Sequence, residues 1–535
     1  MTTTQSPPSA PRSTAQALTR RQLTSLAALA GVVSALATLA VAEVVSLLLG
    51  GAGNPLLSVG SALIDLSPPG VKDLVISLFD TADKIFLFGF LGVVLGGLAA
   101  LAGVLQARKP PAGLIVVAAL ALVGALAALT RAGAGVASAA PSIAGAIVGA
   151  LLLRALILRL HAWRRASDRA VTTGAPLSGM ERRAFLGMAI ATGVASAVVG
   201  AGARMMNAAA TAVSEIRTAI TLPTAASALP AIPADGVLAV DGISPFITPN
   251  VDFYRIDTAL QVPSIDPAEW VLRIDGMVEN PVEITFDELL ALPLEENLVT
   301  LACVSNEVGG NLIGNALWLG YPIRELLARA KPTAGADMVL SRSQDGFTAS
   351  TPLEVLQDAN TAAILAVGMN GDPLPLEHGF PVRMVVPGLY GYVSATKWVV
   401  ELNVTTFAKD EGYWTSRGWT AEGPIKMSSR IDTPRRGYPI EAGTVAIAGV
   451  AWAQHTGISA VEVRVDDGPW ANATLASTVT VDSWLQWSYA WEATPGSHTI
   501  TVRATDSTGL VQTSAEAPPA PDGSTGLHSI EVEVS

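Results

Sequence analysis

Cys303 restricts the chemistry of this chain more than any other residue, because it is the only cysteine among 535 residues. It lies in LACVSNEVGG, residues 301–310, after a short apolar run and before the Gly309–Gly310 pair. One thiol cannot close an intramolecular disulfide. Two roles remain open at this level: a small buried hydrophobe, or a soft ligand or nucleophile. The context describes an apolar strand that ends by delivering its last side chain, with Ser305 and Asn306, to a site. Other redox centres are excluded by counting. The histidines are His161, His378, His455, His498 and His528, and none falls within an apolar stretch that could hold a transmembrane haem. Iron–sulfur clusters need several cysteines, commonly four. There is also no CxxCH haem attachment and no cytochrome-like segment.

The elements that must position such a site fall into two compositions. Residues 1–205 carry 16 Lys and Arg against 7 Asp and Glu, whereas residues 206–535 carry 17 against 38. The acidic part argues against nucleic acid as a partner, since phosphates would be repelled. The basic part contains five apolar stretches near 23–49, 85–107, 113–130, 142–160 and 184–203, each close to the ~20 residues that cross a bilayer core. Small residues such as Gly96–Gly97 suit close helix packing there. Arg12, Arg20, Arg21, Arg108, Lys109, Arg159, Arg164, Arg165, Arg169, Arg182 and Arg183 collect on one side of an alternating topology, and Lys72, Lys84 and Arg131 on the other. The positive-inside rule places residues 1–22 as a cytoplasmic tail and everything beyond the fifth span outside the cytoplasm. Glu43, the one acidic residue at membrane depth, is either functional or near the outer interface. The fifth span opens ERRAFLGMAIATG at Glu181. Arg182–Arg183 are either ordinary cytoplasmic anchors or a twin-arginine-type signal, retained here as an anchor, that exports a folded, cofactor-loaded domain.

Residues 206–243 read as a linker, with TLPTAASALPAIPADG rich in Ala, Pro and Thr. From 244 to 428 strands and helices mix: TFDELLALP and YPIRELLARA predict short helices with acidic first turns, and VRMVVPGLYGYV and KWVVELNV predict buried strands around a glycine-rich turn. From 429 to 535 short alternating strands predict an all-β, immunoglobulin-like sandwich. There Val461, Val463 and Val465 face one way and Glu462 and Arg464 the other, while Trp452, Trp484, Trp487 and Trp491 read as core. The expected fold class is therefore multi-domain: an all-α bundle of five transmembrane helices, an α+β domain, and an all-β sandwich.

At TLACVSN…NALWLG, at GMNGDPLPLEHGFPVRMVVPGLYGYVSATKW and at RIDTPRRGYPIEAGTVAIAGVAWA, in that order, the chain resembles the sulfite oxidase family of molybdenum–pterin enzymes. The resemblance runs from about Phe246 onward and opens with NVDFYRIDTALQVPSIDPAEWVLRIDGMVENPVEITFDELLALP. With the five spans and the twin-arginine-like start, it is similar to a membrane-anchored, actinobacterial-type subgroup. The resemblance implies a molybdenum–molybdopterin cofactor with Cys303 as the protein thiolate on the metal, a ligand whose softness suits that role. It implies that His378, Arg383 and Lys397 contact the pterin and its phosphate, and that Arg255 and Asn306 line the cofactor or substrate pocket. On residues alone, Arg383 could equally sit in a buried ion pair and Lys397, beside Trp398, on a sheet edge.

The implied reaction is two-electron oxygen-atom transfer, with the chemistry carried by the cofactor. One departure bears on substrate. Sulfite oxidases resemble C-A-G-N-R after the metal ligand, whereas here Glu307 gives C-V-S-N-E. A carboxylate near an anion turns an attraction into a repulsion of about 4 kcal/mol at 4 Å for an effective dielectric near 20. Arg255 or Arg342 would have to offset it for sulfite to bind, and a neutral sulfoxide or other small oxo compound becomes comparable. The expected partners are a small-molecule substrate, the membrane, the twin-arginine export machinery, a redox partner (quinone, cytochrome or other) and possibly a second copy through the last domain. The competing class is a membrane-anchored scaffold or binding protein that keeps the fold without metal.

Overall fold

The computed structural model describes residues 17–49, 53–67, 83–131, 134–173, 180–205 and 208–535. Arg12 and Lys72 of the orientation argument lie outside these residues. The chain divides into two compact units, Met1–Ala209 and Ala210–Ser535.

The first unit is helical: α1 (Arg20–Leu48), α2 (Pro55–Leu66), α3 (Asp83–Arg108), α4 (Ala112–Leu129), α5 (Ala140–Thr173) and α6 (Met180–Met205). Among the described residues, five helical stretches are long and apolar enough to cross a membrane, at Arg20–Leu48, Phe86–Arg108, Ala112–Leu129, Val136–Thr173 and Met180–Val199. The α1 helix starts where Thr19 and Gln22 form a reciprocal capping box. It packs on α3, α5 and α6 around Ala27, Ala30, Leu153, Leu156 and Phe185. Among the described residues Gly96–Gly97 do not make the close helix contact: a Cβ added at either would meet nothing within 4 Å. Gly31 and Gly103 make it instead, since a Cβ at Gly31 would lie 1.9 Å from the Ala99 carbonyl oxygen and one at Gly103 2.0 Å from that of Ala27. Backbone-to-backbone contact, absent at the conspicuous glycine pair, is what excludes a side chain. Glu43 accepts a hydrogen bond from Asn54 Nδ2 at 2.5 Å, and Asn54 in turn caps α2 by accepting from Leu56 and Leu57. The α2 helix is absent from the sequence expectation, being too short to span.

In the second unit the stretch expected as a linker instead begins with a helix, α7 (Ala208–Ala219), and continues as extended chain fastened to its own domain. Arg217 Nε and Nη2 donate to the carbonyls of Leu374 and Pro373, each at 2.7 Å. Ala226 N–H donates to Leu294 O, and Leu238 N–H to Gln486 Oε1. Low periodicity hid a segment ordered by contacts to residues distant in sequence, through Arg217, through backbone pairing and through side chains such as Val213 and Leu222 that pack on the domain core.

Two sheets build the α+β part. One runs β2 (Val282–Thr285), β1 (Val271–Gly276), β10 (Val399–Thr405), β5 (Met338–Ser343), β6 (Thr348–Pro352), with only the β1–β10 pair parallel. The other runs β3 (Glu295–Ala302), β4 (Ile313–Pro322), β7 (Ile364–Met369), β8 (Asp372–Pro373), with β9 (Arg383–Val385) on the flank of β7. The two helices predicted with acidic first turns form as α8 (Phe286–Leu290), capped by a Thr285–Glu288 box, and α9 (Ile323–Ala330). The predicted strand over VRMVVPGLYGYV stops at Val385, and Gly391–Ser394 instead turn helically.

The remaining strands are β11 (Ser428–Thr433), β12 (Gly443–Trp452), β13 (Ile458–Val465), β14 (Ala471–Asn472), β15 (Thr474–Leu475), β16 (Leu485–Ala493), β17 (Gly496–Asp506) and β18 (His528–Val534). They form two antiparallel four-stranded sheets, β11–β12–β16–β15 and β14–β13–β17–β18. They share one core in which Val461 and Val463 meet Trp487, Ile500 and Val532, as the alternation predicts. The β part is fused to the α+β part rather than merely tethered. Trp484 is buried and donates from Nε1 to Phe246 O at 2.9 Å, while its backbone N–H donates to Thr300 Oγ1.

Candidate functional site

The β3 strand is buried along Leu298–Ala302, so its end is rigid, and Cys303 follows it directly. The loop after it closes on itself. Cys303 N–H donates to Leu312 O, Asn306 N–H to Cys303 O, and Gly310 N–H to Glu307 O. The Asn306 side chain is buried and spent on this loop, accepting from Leu312 N–H at 2.8 Å. Gly309 has φ +78°, a conformation that favours glycine. Burial pushes the Cys303 thiol up, against the pull of hydrogen bonds from Ser305. A neighbouring cation or metal would be needed to make it a thiolate at neutral pH.

A second constellation surrounds β9. Arg383 is buried at 5% exposure, stacks 5.1 Å from the Trp318 ring centre, and directs Nε, Nη1 and Nη2 at the carbonyls of Met384, His378 and Ala395. Among the described residues it forms no ion pair, and burial lowers its pKa to about 10. Lys397, also buried, donates to Asp257 Oδ2 at 2.6 Å and to Glu377 O at 3.0 Å. Burial, partly offset by Asp257, lowers its pKa to about 8. Arg255 Nε pairs with the same Oδ2 at 2.9 Å but is 39% exposed. Burial, then Arg383 and Lys397, lower His378 to about 4, so its ring is neutral at pH 7. Its Nε2 lies 3.1 Å from Asn250 O. A carbonyl can only accept, so Nε2 carries the proton and Nδ1 the free lone pair.

Tyr254 links the two constellations. Its hydroxyl pKa is pushed up by burial and then by Cys303, and pulled down by Arg383. Cys303, Tyr254, Arg383, His378, Lys397, Asp257 and Arg255 therefore form one neighbourhood. Lys397 and Arg255 share the carboxylate of Asp257, and buried Arg383 has no carboxylate partner among the described residues, which leaves buried positive charge that is costly unless an anion arrives. A phosphate ester beside a soft thiol ligand fits that set of donors.

A small pocket of about 10 Å³ adjoins the loop, lined by Ala302, Asn306, Glu307, Tyr390, Lys426, Ser428, Trp452 and Ser524. Glu307 is exposed at its rim. The two arginines considered as offsets to Glu307 are both engaged elsewhere, Arg255 by Asp257 and Arg342 by Glu401 at 2.7 Å. The cation in the pocket is Lys426, itself 3.0 Å from Asp522 Oδ1. Sequence reading did not single out Tyr254, Asp257, Lys426 or Ser524. The first two flank Arg255 in DFYRIDT, where an aromatic and an acid beside an arginine were a usable signal. Lys426 and Ser524 lie more than 100 residues beyond Cys303 and carry no local signal.

Residues 259–414 match the oxidoreductase molybdopterin binding domain family, and residues 428–502 a bacterial Ig domain family. The chain is 30% identical over 272 residues to the mitochondrial sulfite oxidase of Rattus norvegicus, covering 43% of this chain and 49% of that protein. It is 26% identical over 323 residues to the sulfite oxidase of Gallus gallus, covering 51% and 69%. The sulfane dehydrogenase SoxCD of Paracoccus pantotrophus aligns at 24% identity with a TM-score of 0.48, covering 55% of this chain and 82% of that one. The chain spans about half the length of the mammalian relatives it matches. Residues 259–414, which hold Cys303, Asn306, His378, Arg383 and Lys397 with Arg255 just ahead, thus match an oxidoreductase molybdopterin binding domain family, and this part of the chain is similar to the sulfite oxidases.

Proposed function

We propose that this protein is a membrane-anchored, extracytoplasmic molybdenum–molybdopterin oxidoreductase that transfers an oxygen atom to or from a small sulfur-oxo substrate. The observation that carries this reading is the pairing of one thiol, at a rigid strand end, with a buried cation surplus centred on Arg383. Cys303 would hold the metal, and Arg383 and Lys397 would hold the pterin phosphate. Neutral His378, whose ring is oriented by Asn250 O, offers Nδ1 as an acceptor to a pterin N–H. The bound cofactor supplies two-electron oxygen-atom exchange. Sulfite and water would give sulfate, two electrons and two protons; a sulfoxide with two electrons and two protons would give sulfide and water. Arg255 and Asn306 shape the surroundings, Arg255 through Asp257 and Asn306 through the loop it closes.

The charges around the thiol loop favour the second substrate class: Glu307 is exposed on that loop and Arg255 and Arg342 are paired elsewhere, so a dianion would gain little net attraction. The five apolar helices, the Arg182–Arg183 start and the flanking cations support an anchor with a cytoplasmic N-terminus and twin-arginine export. The two-sheet C-terminal part supports an immunoglobulin-like module suited to dimerisation. A quinone, cytochrome or other redox protein would exchange the electrons.

Metal and pterin analysis of the purified full-length protein, with Cys303→Ser alongside, tests the proposal. About one molybdenum and one pterin per wild-type chain are expected, and metal loss in the variant. Wild-type protein with neither would leave the scaffold reading. Molybdenum without turnover of sulfite or sulfoxides, using an artificial electron carrier, would remove the substrate assignment and keep the cofactor.

A further inference from the structure

Three residues from the C-terminal β part reach the Cys303 loop. Ser524 Oγ donates to the Asn306 carbonyl at 2.6 Å. Arg430 Nη1 donates to the Gly310 carbonyl at 2.8 Å, and the same guanidinium is fixed by Asp432 at 2.7 Å and Ser244 Oγ at 2.8 Å. The His528 ring lies against Gly309, so that a Cβ there would come within 2.3 Å of Cδ2 and Nε2. That ring is held by Ile431 N–H, which donates to Nδ1 at 3.0 Å. A loop that hydrogen-bonds mainly to itself is otherwise free to hinge about Gly309 and Gly310.

We propose that Ser524 and Arg430 are positioning residues for the metal-binding thiol. Through the loop carbonyls of Asn306 and Gly310 they hold Cys303 in its ligating position, so that the C-terminal β part completes the site instead of only flanking it. This rests on Cys303 as the metal ligand. The mechanism is a restriction of backbone freedom: each bond removed lets the loop open more often, by the few-fold to tenfold that one net hydrogen bond is worth. Neither residue touches the reacting atoms.

Cys303 is half-buried and is the only thiol, so a rise in its alkylation rate above that of wild type reports loop opening without any label elsewhere. The full chain, produced without cofactor and held in detergent, is treated with iodoacetamide well below its unfolding temperature. Ser524→Ala should react about fivefold to tenfold faster than wild type, Ser524→Thr at the wild-type rate, and Arg430→Lys, which keeps the charge but loses the fork, faster as well. In the cofactor-loaded protein the sulfur-to-molybdenum absorption band should shift in Ser524→Ala and not in Ser524→Thr. Equal alkylation rates for wild type, Ser524→Ala and Arg430→Lys overturn the brace. So does an increase that Ser524→Thr fails to reverse. The alkylation arm needs no metal, so a chain that binds no molybdenum fails the cofactor proposal while the brace stands or falls separately.

Discussion

The thiol loop and the cation cluster occupy one neighbourhood but are held by opposite means. Arg383, Lys397 and His378 are buried and oriented by backbone carbonyls of their own domain, with positive charge in excess. Cys303 sits in a loop with little charge of its own, fastened from outside by Ser524 and Arg430. The contrast teaches a division of labour. A cofactor with an anionic end and a metal end is best met by electrostatics at the first and by geometry at the second. Long-range charge tolerates small displacements, whereas a metal–sulfur bond does not.

Breaking the electrostatic half should cost most. Arg383→Met removes three hydrogen bonds and a buried charge while keeping volume. Pterin retained after gel filtration should fall by a hundredfold or more, as bonds to charged groups of about 1.5–3 kcal/mol each imply. Retention within threefold of wild type would show that the cluster is not where the anion binds. The Cys303→Ser and Ser524→Ala experiments above then separate losing the metal ligand from loosening it.

A pH series sharpens the same contrast. His378 and His528 have folded pKa values lowered to about 4 by burial, against 6.5 when unfolded. The unfolded chain therefore binds more protons between these values, so stability is fully present above pH 6.5 and is lost as pH falls toward 4. The cofactor-free protein should show a thermal midpoint that drops over this window. His378→Gln should flatten the drop while leaving Cys303 alkylation unchanged, and His528→Gln should flatten it while raising alkylation. Identical alkylation in both variants would merge the two regions into one.

The smallest effect concerns the pocket rim. Glu307→Gln should lower KM for an anionic substrate by about twofold to fivefold with little change in kcat, because an exposed charge is screened. An unchanged KM for sulfite, alongside an unchanged KM for a neutral sulfoxide, would place Glu307 outside the substrate's reach.

Much of this was legible locally. The acidic first turns of TFDELLALP and YPIRELLARA, the alternation through Val461 and Val463, and the long apolar stretches are patterns of neighbours, and neighbours are what a sequence displays. The span of α2, the helix at Ala208–Ala219 and the helical turn at Gly391–Ser394 were not, because contacts distant in sequence order them. Gly96–Gly97 was misleading for the same reason: close packing depends on which glycine meets a backbone, and that belongs to the pair of helices.

By itself the sequence determined that there is one thiol, that it ends an apolar strand, that His378 and Arg383 travel together in HGFPVR, and that Glu307 stands four residues past the thiol. Composition and short-range periodicity are enough for each of these. Only the tertiary structure decided that Arg383 is buried without a carboxylate among the described residues, that Asp257 serves both Arg255 and Lys397, and that Lys426 lines the same small pocket as Glu307 while Arg342 pairs with Glu401. It alone brought Ser524 onto the Cys303 loop. Charge balance and loop restraint are sums over groups far apart in the chain, and only folding brings those groups within hydrogen-bonding distance.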